Sequence, residues 1–579
     1  MSIILGINAN HADSSACILV DGKLEVALEE ERINRKKHWA GLPQESINKC
    51  LEVLNLKFLD ITDIAINTKP NSNLIKKIPF FLKNYILGKK KYEIIERYKN
   101  RLFFKKSLLK EFQIKTNKKL KFHKIEHHLA HIASAYFPSG YDKAIGLSID
   151  GFGDFCSLAI SECEKSKINI IKKVYFPHSL GVFYESMTQF LGFENYGDEY
   201  KVMGLSSYGA PKYTQEILDK IFLKQNDFFK LNLEYFNHHK KNYQYNFSGI
   251  PKQNIMYSEK FKEIFGDNTN FNKNKISQNQ KDIAASTQKV FEIVLNQILK
   301  KNINYNFSNN LVYAGGCALN SLANGKILEE KKLDNFFVPY APGDAGGAIG
   351  AALYVFKDKF KKKPLKNLKN PFLGPKYSSN YVEKLIDDNK NEDFSFEKFD
   401  DHKDLFENIS NALAEKKIIG WFQNKMEFGA RALGNRSILA DPRDIAMKDI
   451  LNEKIKKRES FRPFAPVILD YEKKNWFMFE NANPYMSFVE TIIPEKRSMI
   501  AAVSHVDGTG RVQTVSKDTN LSLFLLLESF FSKTGIPILI NTSFNENEPI
   551  VLNPQQALDC FLRTKMDWLV LNNYLIKRK

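Results

Sequence analysis

The segment Lys454–Pro466 of this 579-residue chain reads K-I-K-K-R-E-S-F-R-P-F-A-P, three Lys and two Arg set among aromatic residues and prolines. Of 85 Lys and Arg residues only 13 are Arg, and seven of those (431, 436, 443, 458, 462, 497 and 511) fall between positions 431 and 511. Lysine carries a point charge on a flexible stem. Arginine carries a flat, permanent fork that grips phosphate or carboxylate through two parallel hydrogen bonds. A chain that uses Lys almost everywhere and Arg in one window is expected to hold an oxyanion there, most simply the phosphate of a substrate. The bland alternative is a set of surface ion pairs.

A second concentration lies at His127-His128-Leu129-Ala130-His131. The segment Glu126–Phe137 has helical apolar spacing, so His127 and His131 lie one turn apart on one face and His128 points about 100° away. Two imidazoles so spaced can share a metal ion if carboxylates join them from elsewhere. Candidates exist. The apolar run Ala144–Ile149 ends in Asp150, followed by Gly151-Phe152-Gly153-Asp154, where backbone can approach a phosphate or an ion closely. Leu311–Ala314 runs into Gly315-Gly316-Cys317-Ala318-Leu319-Asn320, and Val338–Ala341 into Pro342-Gly343-Asp344 with further glycines. Both glycine turns open onto helices whose free N–H groups suit phosphate, ribose or adenine.

The elements that must carry these groups are those of an α/β protein. Ile3–Asn8, Ala16–Val20 and Leu24–Ala27 are strand-like, with His11-Ala12-Asp13-Ser14-Ser15 in the first turn and an Asp21-Gly22 hairpin signal after the second. Residues 44–57 and roughly 72–116 suit amphipathic, Lys-faced helices. Residues 207–282, rich in Asn and Lys, look like a variable excursion. Lys361–Pro375, Lys-rich with three prolines, is the expected linker. Beyond it, apolar runs at Ile418–Phe422, Val467–Leu469 and Ile538–Ile540 alternate with helical segments such as Leu521–Phe531. At this length two or three domains are expected.

Composition sets bounds. Hydrophobic content of 43% with 13% aromatic suits a well-filled interior. No run approaches the roughly 18 apolar residues of a bilayer span, and the six cysteines form no C-x-x-C pair. A cytoplasmic, reduced protein without a membrane partner is the expectation. The net charge of +19 comes mostly from Lys blocks such as Lys89–Lys91 and Lys361–Lys363, set among many Asn, Ile and Phe. Compositional drift explains that pattern as well as phosphate contacts do, and a nucleic-acid partner is not expected.

Taken together the motifs resemble a known family. Residues 1 to about 355 are similar to the actin-like ATPase domain shared by the universal tRNA threonylcarbamoyl-transfer protein and the O-carbamoyltransferases. The segments Gly429–Leu439, Lys454–Pro466, Asp507–Thr514 and Asn541–Asn545 resemble those of nodulation-factor and antibiotic-tailoring carbamoyltransferases, as do Pro177–Gly181 and Asp198–Leu205. The resemblance implies an actin-like domain over residues 1–365 and a YrdC-like α/β domain over 366–579. It implies that carbamoyl phosphate and ATP form a carbamoyl-adenylate in the second domain, and that the first transfers carbamoyl to a hydroxyl of a small-molecule acceptor, releasing AMP.

By the same resemblance Arg431, Lys456, Arg462, Arg511 and Asn541 line the carbamoyl-phosphate pocket, with Lys456 and Arg462 catalytic. Arg458 stands close behind, as does Arg436 toward the nucleotide. Gly151, Gly153, Gly315, Gly316 and Asn320 face the nucleotide, which brings Mg2+. His127, His131, Asp150 and Asp344 hold a divalent metal, iron first among the candidates; residue type alone allows iron, manganese or zinc. His11 orients or deprotonates the acceptor hydroxyl, with Lys201 as a second polar group there. Asn435 departs from the family pattern, in which His is common, and that removes any acid–base role at the position. The acceptor is not specified, and a homodimer is the family expectation. Two competing readings are a tRNA-modifying enzyme of the threonylcarbamoyl type and a non-catalytic actin-like ATP-binding scaffold.

Overall fold

The computed structural model describes residues 1–85, 104–113, 120–165, 167–223, 228–240, 245–246, 249–267, 276–330, 333–361, 368–389 and 394–578. Lys89–Lys91, Lys362–Lys363 and parts of the expected helical stretch 72–116, the excursion 207–282 and the linker 361–375 lie outside them. The chain divides into two compact units, Met1–Lys369 and Asn370–Lys579.

The first unit opens with β1 (Ile3–Asn8), β2 (Ser15–Val20) and β3 (Lys23–Glu29), an antiparallel meander. Helix α1 (Gln44–Val53) leads to β4 (Asp63–Ile66), parallel to β1, and β5 (Lys121–Lys124) runs parallel to β4. The sheet order is β3-β2-β1-β4-β5. Helix α2 (His127–Ser139) follows, and then the plan repeats. β6 (Lys143–Gly153), β7 (Cys156–Glu164) and β8 (Lys167–Tyr175) form a second antiparallel meander. After α3 (Gln278–Asn302), β9 (Asn310–Ala314) pairs parallel to β6 and β10 (Asn335–Phe337) parallel to β9. Two five-stranded sheets of one topology make this the duplicated, actin-like α/β fold. β1 is buried throughout, which is why it reads as an unbroken apolar run and not as an alternating one.

Helix α4 (Asp344–Phe360) packs against α2 and the first sheet through small residues. A Cβ on Gly350 would stand 1.8 Å from the carbonyl oxygen of Ala130, and one on Gly6 2.3 Å from that of Ala348. Close backbone approach is what brings Asp344 opposite His131. Gly350→Val should therefore cost about 3 kcal/mol or more, because backbone and not a pliable side chain must move. Calorimetric melting checks this.

The second unit is an eight-stranded mixed sheet. Its strands are β11 (Phe394–Lys398), β12 (Ile419–Phe422), β13 (Arg436–Ala440), β14 (Ala465–Leu469), β15 (Gln513–Val515), β16 (Ile538–Ser543), β17 (Trp568–Leu571) and β18 (Tyr574–Arg578), in the order β11-β18-β17-β12-β13-β16-β14-β15. Helices α5 (His402–Ala414) and α6 (Leu521–Thr534) pack together, and α7 (Pro554–Arg563) lies against β12. Their apolar faces join the sheet in one core that includes Trp421, Phe464, Leu527 and Phe561. Among the described residues no helix is long and apolar enough to cross a membrane.

Candidate active sites

In the first unit Glu126 caps α2, its carboxylate accepting from the Leu129 N–H at 3.0 Å. Buried Asp154 accepts from the His127 N–H at 3.0 Å, the Lys69 N–H at 2.7 Å and the Thr68 hydroxyl at 3.0 Å. It thus clamps the start of the helix, a role its neighbouring glycines did not announce. His128 points away, as the spacing predicts. Its Nδ1 meets the Ser148 hydroxyl at 2.8 Å and its Nε2 the Cys156 carbonyl at 3.0 Å, and burial pushes its pKa down to about 4.

His127, His131, Asp150 and Asp344 converge, each offering one ligand atom within 4.8 Å of the others. The two Nε2 atoms are 3.0 Å apart; Asp150 Oδ2 is 3.2 Å from His127 Nε2 and 3.0 Å from His131 Nε2. Asp344 Oδ1 is 3.5 and 3.4 Å from the same two nitrogens. Four ligands placed about 2.1 Å from a central ion stand about 3.4 Å from one another in a tetrahedron, so this donor set fits a divalent metal. Without one, burial disfavours a charged His131 ring, but hydrogen bonds and charge from Asp150 and Asp344 outweigh it and raise its pKa to about 9. Asp150 is held well below the usual carboxylate range: burial opposes its ionisation, but hydrogen bonds and charge from His127 and His131 prevail. Asp344 is raised by burial and then by Asp150. Nδ1 of both histidines is buried without a hydrogen-bond partner, a departure from metal sites in which that N–H is handed on.

Around this cluster the other expected residues separate. His11 is buried in the β1–β2 turn, with its ring centroid 4.9 Å from that of His127. Gly151 faces open space, its N–H on Asp150 Oδ1 at 2.7 Å, and a Cβ on Gly316 would stand 2.9 Å from the same oxygen. Gly315 has φ +92°, and a Cβ there would strike the Ile149 backbone. A Cβ on Gly153 would sit 1.9 Å from the His127 ring, so the position is glycine to admit that imidazole. Asn320 caps the next helix, accepting from the Ala323 N–H at 3.0 Å, and pairs with Gln288. Lys201 is turned to Asp198 at 2.9 Å. A dyad went unremarked in the sequence: His38 Nδ1 meets Asp13 Oδ1 at 2.8 Å, and Glu31 accepts the His38 N–H at 2.8 Å. Burial opposes a charged His38, but Asp13 outweighs it and lifts the pKa to about 9.

In the second unit the Lys454–Pro466 segment follows a widened helical turn in which the Lys456 N–H reaches back five residues to the Leu451 carbonyl at 2.9 Å. The turn and the loop after it present Arg458 and Arg462. Arg458 is held by Asn452 at 2.7 Å and lies over Phe464, and Arg462 leans on Glu459 at 3.5 Å. Both face Arg511, as does Arg431. Arg511 is held well below the usual arginine range by burial and then by the charges of Arg431, Arg458 and Arg462, and no carboxylate pairs with it among the described residues. Asn541, on β16, sits opposite Leu439 of β13 and Ala465 of β14. Its side-chain N–H groups reach Gln513 at 2.6 Å and Ala432 at 3.3 Å, while its carbonyl oxygen is buried without a partner.

Two of the expected residues in this unit are engaged by the protein itself. Arg436 is fully buried. Its guanidinium lies 3.6 Å over Phe422 and donates to the carbonyls of Gln423, Asn435, Pro375 and Asn424, which holds it inside the fold. Lys456 is buried too. Its ammonium is held by Ser543 and Asn545, with 2.8 Å to the Asn545 carbonyl and 2.7 Å to its side-chain oxygen, so it ties the 541–545 loop to the Lys454–Pro466 segment. Asn435 bridges Lys425 and Asn520 at 2.7 and 3.0 Å. Glu427, unremarked in the sequence, accepts the N–H groups of Leu433, Asn435 and Arg436 and so folds the 429–436 loop that carries Arg431.

A duplicated actin-like unit with a metal-fitting cluster, and an α/β unit with an arginine pocket, define a group-transfer enzyme when set beside known proteins. Residues 3–353 match the family model of the carbamoyltransferase N-terminus and residues 410–578 that of the carbamoyltransferase C-terminus. The chain belongs to the carbamoyltransferase family. It is 36% identical to a protein of Synechocystis sp. over 612 residues, covering 100% of this chain and 97% of that one. It is 33% identical to nodulation protein NolNO of Sinorhizobium fredii, covering 98% and 79%, and 33% identical to a protein of Methanocaldococcus jannaschii, covering 100% of both.

Proposed function

We propose that this carbamoyltransferase makes a carbamoyl-adenylate from carbamoyl phosphate and ATP in residues 366–579, and that residues 1–365 pass the carbamoyl group to a hydroxyl of a small-molecule acceptor. The observation that carries the reading is Arg511, buried among Arg431, Arg458 and Arg462 with its Nε unpartnered and no carboxylate paired with it among the described residues. Such a group is costly until an anion enters, and a dianionic phosphate accepts several forked donors at once. Asn541 offers a neutral acceptor to the amide end of the same molecule. The donor step balances if carbamoyl phosphate is opened by water to carbamate and inorganic phosphate, and a carbamate oxygen then displaces pyrophosphate from the α-phosphorus of ATP. Arginine forks suit the charge that moves in both events.

In the first unit His127, His131, Asp150 and Asp344 would hold a divalent metal, iron first among candidates that include manganese and zinc. Once bound, it would steady the phosphate of the adenylate and lower the charge on AMP as a leaving group. Gly151, Gly315 and Gly316 leave backbone room beside Asp150 for that phosphate and its nucleoside. His11, packed on His127, would take the proton of the acceptor hydroxyl as it attacks the carbamoyl carbon. The test is isotopic exchange of pyrophosphate into ATP by the full-length protein without acceptor. Exchange that needs carbamoyl phosphate is expected; exchange that needs bicarbonate and an amino acid instead would favour the tRNA-modifying chemistry.

A further inference from the structure

Beside Arg511 stands a histidine that neither the motifs nor the fold assigns. His505 opens a tight turn, its N–H on the Thr509 carbonyl at 2.8 Å and its carbonyl accepting from the Gly508 N–H at 2.9 Å. The turn fixes its tautomer. The Thr509 hydroxyl gives its one proton to Asp507 Oδ1 at 2.7 Å, so toward His505 Nδ1, 3.1 Å away, it can only accept. Nδ1 therefore carries the ring proton and Nε2 presents a lone pair. That Nε2 is buried and has no hydrogen-bond partner.

The charged groups facing the ring are Asp507, Arg511 and Lys448; burial, with the two cations, outweighs Asp507 and brings the pKa down to about 4, so the ring is neutral at pH 7. A bare acceptor among arginines is an odd choice for binding phosphate, which itself supplies only acceptors. It is the right choice for an N–H. Asn541 presents a second such acceptor. Its amide orientation is set by Gln513 at 2.6 Å, whose own N–H reaches the Leu433 carbonyl at 2.9 Å. Gln513 lies two residues beyond Arg511, and Ala432, the other partner of Asn541, is next to Arg431. Two unpartnered acceptors thus accompany the arginine group, and a carbamoyl nitrogen carries two N–H groups.

We infer that His505 Nε2, together with Asn541 Oδ1, accepts the N–H groups of the carbamoyl end of the donor, making His505 a specificity residue that separates carbamoyl phosphate from acyl phosphates lacking that nitrogen. The inference rests on the proposed donor chemistry. It is tested by calorimetric binding of carbamoyl phosphate, acetyl phosphate and inorganic phosphate to the full-length protein. The wild type should prefer carbamoyl over acetyl phosphate by about tenfold or more, the worth of one or two hydrogen bonds left unmade in a closed site. His505→Ala should erase most of that preference while binding inorganic phosphate within about twofold of the wild type, which also reports an intact fold. His505→Gln, whose amide oxygen falls near the Nε2 position, should restore it, and His505→Asn, which reaches only the Nδ1 position, should not. A preference that survives His505→Ala, or that Asn restores and Gln does not, would overturn the inference and assign the ring to holding the Thr509 turn. A wild type that binds carbamoyl phosphate no better than acetyl phosphate would also overturn it. One that binds none of the three ligands would overturn the donor chemistry and the inference together.

Discussion

Arg511→Met should abolish carbamoyl-phosphate-dependent pyrophosphate release while leaving thermal stability unchanged or higher. Both effects have one cause. In the free protein Arg511 is pressed by burial and by Arg431, Arg458 and Arg462, with no carboxylate to offset them among the described residues. Replacing a crowded charge by an apolar chain of similar volume removes repulsion and desolvation at once, and such replacements are often neutral or stabilising. The bound state is the reverse. Without its forked arginine, phosphate in an enclosed site forgoes two charge-assisted hydrogen bonds, about 3–6 kcal/mol, on the order of 100- to 10,000-fold in affinity. A residue kept only for structure would lower both quantities on removal. Melting without phosphate and calorimetry with carbamoyl phosphate separate the two cases.

The second large effect belongs to the first unit. On the proposed chemistry, His131→Ala should prevent metal binding and with it carbamoyl transfer to any acceptor, and leave pyrophosphate release from ATP intact. The loss should be nearly complete, because the 3.0–3.4 Å separations leave His131 central to the set. Elemental analysis and acceptor-product yield check it. A pH dependence accompanies the prediction. His131, raised to about 9, must give up a proton when a metal binds, so metal affinity should climb between pH 7 and 9 and level off above. For the metal-free protein the sign is opposite. A folded-state pKa raised above the unfolded value of about 6.5 contributes stability in full below that value. That contribution is lost as pH rises through about 9. Metal should therefore stabilise the protein most at the alkaline end.

How much of this could be seen in the sequence depends on how local each signal is. His127 and His131 were legible because a helix turns four residues into one face, Asp150 because it follows an apolar strand run and precedes glycines, and Asp344 because it opens a helix after a glycine turn. The arginine window was legible by composition alone. Within it, Arg436 and Arg462 carry the same local signature, and only the fold tells them apart. Arg436 begins a central strand and is driven inward onto Phe422, whereas Arg462 lies on the loop before β14. For Lys456 nothing in the sequence signals that the return of β16 places Ser543 and Asn545 over its ammonium. His505, Glu427 and Asp154 escaped notice because their meaning lies in partners. A tautomer set by a turn, three backbone N–H groups on one carboxylate and a clamp on a helix end leave no spacing to recognise. Gly153 shows the converse, a glycine in a phosphate-loop setting whose missing side chain makes room for an imidazole.

The division of labour is tested most directly by pyrophosphate and AMP release from ATP, measured with carbamoyl phosphate and without acceptor, on the metal-loaded wild type, Arg511→Met and His131→Ala. The wild type and His131→Ala should release pyrophosphate at similar initial rates and Arg511→Met almost none. If His131→Ala were silent and Arg511→Met active, adenylate formation would belong to the first unit, and the roles assigned to the two units would be wrong.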